Sequence, residues 1–151
     1  MEDLAAALAG HPFLAGLKSD QVKLLAECAS SVSFPVGQYL CRGAEEAAQF
    51  FLIQQGRVGV EIFRARKGAI TTQTVGEGEA LGWLWFEKPY HWHYDARAQQ
   101  LTRALALDVK GLMARCEANH ELGYELMKRY AHMLAVQFRV MILQLVDMYD
   151  A

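Results

Sequence analysis

Apolar residues change their spacing along this chain, and each change marks a different kind of element. Between Leu4 and Leu25 they recur at helical intervals: Leu4 and Leu8 are four apart, Pro12 interrupts, and Ser19-Asp20 stands ahead of Val22, Leu24 and Leu25 as a cap. Two short helices are predicted there. Beyond Ser33 the chain turns to short apolar runs punctuated by glycine, FPVGQYLCRG, FFLIQQG, RVGVEIF and GAITTQTVGEG, then WHYDARA and LTRALAL, which read as strands. Val58, Val60 and Ile62 alternate with Gly59, Glu61 and Phe63, the period of two that buries one face of an antiparallel sheet. Arg64 to Gly68 is then the turn of a hairpin, and its RARK run is read as a solvated edge.

After Asp108 the period is helical to the end, with a short helix over 110–116 and a long one over about 121–149. In the long helix Met127, Ala131, Leu134, Phe138, Met141, Leu145 and Met148 follow alternating steps of four and three, the seam of a coiled coil, and Tyr124 extends it backward. A seam of this kind predicts a homodimer. Leu126, Tyr130, Met133 and Val140 form a second apolar face, directed at the chain's own β domain. The whole reads as one α+β domain over 1–151: N-terminal helices over 1–33, an antiparallel β roll of jelly-roll type over 34–108, and C-terminal helices over 109–151 that end in the long dimerisation helix.

Composition narrows the function classes. A chain of 151 residues buries a real core without staples. A net charge of -2 provides no basic field for nucleic acid, so no direct nucleic-acid partner is expected. Cys28, Cys41 and Cys116 are odd in number and match no metal or redox spacing, which reads as buried thiols in a reducing compartment. MEDLAAALAG starts acidic with a short apolar run, and no charge-free membrane span is present, so a cytoplasmic protein is expected. Nothing resembling a helix-turn-helix follows Tyr149.

The segment VGEGEALGWLWFEKPYHWHYDARA, 75–98, has the layout of a phosphate-binding loop. Gly76, Gly78 and Gly82 would let a tight turn aim several N–H groups at one anion. A phosphate also needs a basic side chain, yet Lys88 stands beside Pro89 and Trp83, Trp85 and Trp92 dominate the rest.

This order of elements resembles the cyclic nucleotide-binding domain of the catabolite activator family. The residues carrying the resemblance are HPFLAGL, then Gly37, Gly43 and Gly56, then Gly78 and Gly82 in GEGEALG, and Ala96-Arg97-Ala98 closing the roll. In that family the phosphate cassette reads approximately Phe-Gly-Glu-Leu-Ala-Leu, followed by an arginine and a small or hydroxyl residue. Here the matching run is LGWLWF. The resemblance places the ribose-binding glutamate at Trp83, the phosphate-binding arginine at Trp92 and its neighbour at His93, and the base contacts of the long helix at Val140 and Met141. Both charged ligand contacts are gone, and Val140 and Met141 cannot donate or accept strong hydrogen bonds. A buried phosphodiester without a counter-charge is costly, so weak or absent binding of cyclic AMP and cyclic GMP is predicted.

The candidate ligand-binding residues are therefore Gly82, Trp83, Leu84, Trp85, Trp92, His93, Arg97, Val140 and Met141. The aromatics either line a pocket for a more apolar ligand or fill the space a nucleotide left. His91 and His93 share a strand face, but no third ligand of matching spacing accompanies them, so neither metal nor haem is expected. Asp95 and Arg97, two apart, are read as an ion pair. No nucleophile with a base, no carboxylate pair in a cleft and no metal triad is found, so no enzyme is expected. The reading is a regulatory or ligand-sensing module. Retained cyclic-nucleotide binding through backbone N–H groups is one alternative, and an interaction protein with a filled pocket is another.

Overall fold

A computed structural model describes residues 3–82 and 94–150. Three short helical segments open the chain: α1 (Leu4–Ala9), a single 3-10 turn (Pro12–Leu14) and α2 (Ser19–Ala26). Asp3 caps α1, its carboxylate accepting the N–H groups of Ala5 and Ala6. Ser19 is already helical, and the start of α2 is closed instead by the Gln21 side chain, which accepts the N–H of Lys18 at 3.0 Å.

Among the described residues eight strands follow: β1 (Ala29–Phe34), β2 (Tyr39–Cys41), β3 (Gln49–Gln55), β4 (Arg57–Arg64), β5 (Gly68–Gly76), β6 (Ala80–Leu81), β7 (Asp95–Ala98) and β8 (Thr102–Asp108). They form two antiparallel four-stranded sheets, ordered β1-β8-β3-β6 and β2-β7-β4-β5. β1 starts before the change of texture at Ser33 because its serines are admitted by pairing with β8, not by any apolar alternation of their own. α3 (Val109–Ala118) and α4 (His120–Asp150) complete the chain.

The central strands of the first sheet, β3 and β8, are apolar on both faces because both faces are covered. Phe51, Ile53, Ala104 and Ala106 point between the sheets and meet Val58, Val60, Val75 and Ala96. Their neighbours Phe50, Leu52, Leu105 and Leu107 point outward and meet Leu8, Leu25, Leu112, Leu122, Leu126 and Tyr130 from the helices. Each such large side chain, fully withdrawn from water, contributes roughly 1.5 to 3 kcal/mol. The helices are thereby fixed on one face of the roll.

The hairpin departs from simple alternation. β4 pairs with β7 only as far as Glu61, so Ile62 beyond it is 40% exposed, whereas Glu61 is only 7% exposed. The departure from alternation lies in β5, where Thr72 is the extra residue opposite the step from Val60 to Glu61, while β4 keeps an unbroken register with β7. Cys41 and Cys116 are buried, Cys28 is half-buried, and all three are free thiols. Burial pushes Cys41 up to about 12 and Cys116 to about 11, which leaves both inert.

Candidate functional site

The turn leading out of β5 is built by hydrogen bonds rather than by a run of open glycines. The Glu79 carboxylate accepts the Gly76 N–H at 2.8 Å, and the N–H of Gly78 donates to the Ile53 carbonyl at 3.0 Å. Gly78 alone of the three glycines adopts positive φ, at +83°. Gly82 serves a different need: a Cβ there would overlap the Phe50 ring. The glycine at 82 thus makes room for an aromatic core rather than for an anion.

Two side chains from distant elements hold this turn. The buried ring of His11 places Nε2 2.8 Å from the Ile53 carbonyl and Nδ1 3.2 Å from the N–H of Phe13. Nδ1 is thus the acceptor and Nε2–H the donor, and burial holds the imidazole below its ordinary pKa against the opposing effect of the Ile53 bond. On the other side Tyr130 of α4, fully buried and packed on Phe50 with ring centroids 5.9 Å apart, donates its hydroxyl to the Gly82 carbonyl at 2.9 Å.

Between this turn, β5, the Pro12–Phe13 corner and α4 lies a cleft of about 540 Å³. Its floor is apolar, formed by Phe13, Val75, Ala80, Met133, Val136 and Val140, and its polar tips are Gln73, Thr74, Gln137, Gln144, His132 and Glu79. Gln144 closes one end by donating to the Thr72 carbonyl at 3.1 Å. Among the described residues no lysine or arginine lines the cleft. Lys128 and Arg129 line a neighbouring groove, and both are paired with Glu125, at 3.5 and 2.6 Å. Such a cavity has the size and balance of a small-molecule site. The glutamine amides at its rim offer both hydrogen-bond donors and acceptors.

Of the candidate ligand residues, Gly82 sits at the end of the turn and Val140 lines the cleft, whereas Met141 is 48% exposed and lines no part of it. Arg97 lies away from the cleft. Its guanidinium pairs with Glu61 at 3.0 Å and lies over the Tyr39 ring, 5.3 Å from the centroid. The expected partner Asp95 instead accepts the Gly43 N–H at 2.6 Å and stands 3.7 Å from Arg42. Ordinary alternation in β4 explains the exchange: Glu61 lies two residues from Gly59, which faces Arg97 across the β4–β7 ladder, so Glu61 and Arg97 share the outer face. Trp83, Leu84, Trp85, His91, Trp92 and His93 lie outside the described residues.

Along α4, Leu134, Phe138, Met141, Leu145 and Met148 are exposed in the single chain, while Met127 packs partly into the helical core. Leu126 and Tyr130 of the second apolar face are buried against the roll, and Met133 is partly buried. Sequence reasoning missed the roles of His11, Gln73, Gln137 and Gln144. His11 carried a local signal, since a histidine directly before a proline-capped turn is placed to bond its own backbone, but its distant partner is invisible in the pattern.

A family model described as the cyclic nucleotide-binding domain matches residues 31–119. Among solved structures, a putative cyclic nucleotide-binding protein from Geobacter metallireducens aligns with a TM-score of 0.78 at 27% identity, over 91% of this chain and 99% of its own. The catabolite activator protein of Thermus thermophilus aligns with a TM-score of 0.71 at 20% identity, over 91% of this chain and 63% of its own. A regulatory subunit of a cAMP-independent protein kinase A from Trypanosoma cruzi, bound to guanosine, aligns with a TM-score of 0.61 at 24% identity, over 88% and 50%. No curated protein matches.

Proposed function

The chain belongs to the cyclic nucleotide-binding domain family, and on that premise we propose that it is a non-catalytic sensor or regulatory module for an uncharged, largely apolar ligand rather than for a cyclic nucleotide. The observation that carries this reading is the lining of the cleft beside α4, where apolar side chains and neutral amides stand and, among the described residues, no lysine or arginine. Trp83 and Trp92 at the family's charged contact positions support it from the sequence side. The Trypanosoma cruzi regulatory subunit, half of whose length aligns with this chain, is bound to guanosine, a nucleoside without phosphate.

In this reading α4 is the output. A ligand in the cleft touches Met133, Val136, Gln137 and Val140 on one side of the helix, while Leu134, Phe138, Met141 and Leu145 on the other side form the seam with a second copy. Losing a buried charged partner costs about 2 to 5 kcal/mol, enough to take a micromolar nucleotide site out of useful range. Titration calorimetry with cyclic AMP, cyclic GMP and guanosine is the test. Neither cyclic nucleotide is expected to bind in the low-micromolar range, and such binding by either one overturns the reading.

A further inference from the structure

The cations of this chain are unevenly placed. Its net charge is -2, yet the outer face of the β2-β7-β4-β5 sheet gathers arginines. Arg42 and Arg97 both lie over the Tyr39 ring, 4.0 and 5.3 Å from its centroid, and exposed Arg57 stands on β4 two residues from Gly59, the partner of Arg97. Glu61 and Asp95, the acidic residues of these four strands, are already engaged: Glu61 is nearly buried against Arg97, and Asp95 accepts the Gly43 N–H. Beyond Glu61 β4 leaves β7, and the hairpin over 62–70 continues the sheet as a two-stranded overhang. It carries Arg64, Arg66 and Lys67, all exposed, and no acidic residue. By strand alternation Phe63 projects from the same face as Glu61, and it is 72% exposed.

The bend of this hairpin is strained in favour of a cation. The N–H of Lys67 donates to the Arg64 carbonyl at 3.2 Å, and Arg66 is held at φ +70°, a left-handed conformation that glycine enters at little cost and a residue with a Cβ does not. Strained positions of this kind cluster at functional sites. We propose that this face docks on an anionic lipid surface, with Phe63 entering the boundary between headgroups and acyl chains and Arg64, Arg66 and Lys67 held among the headgroups. Phe63 decides for lipid over nucleic acid, because an exposed phenyl ring beside three cations gains from an apolar boundary and meets only water and phosphate along a duplex backbone. The docking face is separate from the cleft beside α4 and does not depend on what binds there.

Flotation of the full chain with vesicles is the test. Phosphatidylcholine vesicles containing phosphatidylserine are expected to carry the protein and phosphatidylcholine alone is not, and high salt is expected to release it. Each cation near such a surface strengthens binding about fivefold, so Arg64→Gln, Arg66→Gln and Lys67→Gln together are expected to weaken it by on the order of 100-fold. Phe63→Ser is expected to weaken it about tenfold. Arg66→Gly separates docking from folding: binding falls about fivefold, while the melting temperature rises as the bend relaxes. Circular dichroism establishes that the other variants are folded. No flotation with phosphatidylserine, equal flotation with phosphatidylcholine alone, or flotation that the triple variant leaves unchanged overturns the proposal. Binding of a DNA duplex or of polyglutamate that the triple variant loses, without flotation, overturns it in favour of a nucleic acid or an acidic protein.

Discussion

The hydroxyl of Tyr130 donates to the carbonyl oxygen of Gly82 at 2.9 Å, and both groups are buried. One hydrogen bond thus ties the long helix to the end of the turn at which the family's phosphate cassette begins. Any shift of α4, whether on binding a ligand in the cleft or on pairing with another chain, acts on Gly82 through this bond.

Tyr130→Phe keeps the ring packed on Phe50 but leaves the Gly82 carbonyl without its partner. A buried acceptor left unpaired costs about 1 to 3 kcal/mol. Urea denaturation is expected to show that loss, with hydrogen exchange rising at the amides of Ala80 to Gly82.

Gly82→Ala would drive a methyl group into the Phe50 ring. Overpacking of this kind costs roughly 1 to 3 kcal/mol. Phe50→Leu in the same chain opens the space, so the double variant is expected to lose less than the sum of the two single losses. Strict additivity in thermal denaturation would show that Gly82 is a glycine for some other reason.

His11 sets a pH dependence. Its imidazole is neutral in the fold, with Nδ1 accepting the Phe13 N–H, and its pKa lies below the ordinary value near 6.5. The unfolded chain therefore takes up the proton more readily. The stabilisation is complete above about pH 6.5 and is lost as pH falls through the folded-state pKa. The melting temperature is expected to drop between pH 7.5 and pH 5.5, and His11→Gln is expected to flatten that drop.

Arg97 is held in the fold by its ion pair with Glu61. Its guanidinium is 42% exposed, but the Glu61 carboxylate it meets is nearly buried, with one oxygen, Oε1, lacking any other partner among the described residues. Arg97→Met strands that carboxylate, at a cost of about 1 to 3 kcal/mol. Glu61→Gln in the same background is expected to restore part of the stability. Loss of ligand affinity without loss of stability in Arg97→Met would instead place the arginine at a binding site.

The glycine punctuation after Ser33 and the heptad along α4 determined the order of elements, the antiparallel roll and the closing helix, because strand and helix periods arise between residues that are neighbours in the chain. The hairpin turn was legible for the same reason, and the burial of Glu61 beside Arg97 was not, because it depends on the pairing of β4 with β7. Tertiary structure alone decided the contacts that shape the site. Tyr130 meets Gly82 across 48 residues of sequence, His11 meets Ile53 across 42, and Arg97 meets Glu61 across 36. No local period encodes such pairs. They form only when the roll has closed and the helices have docked on it, so that the identity of each partner is set by which faces the packed core brings together.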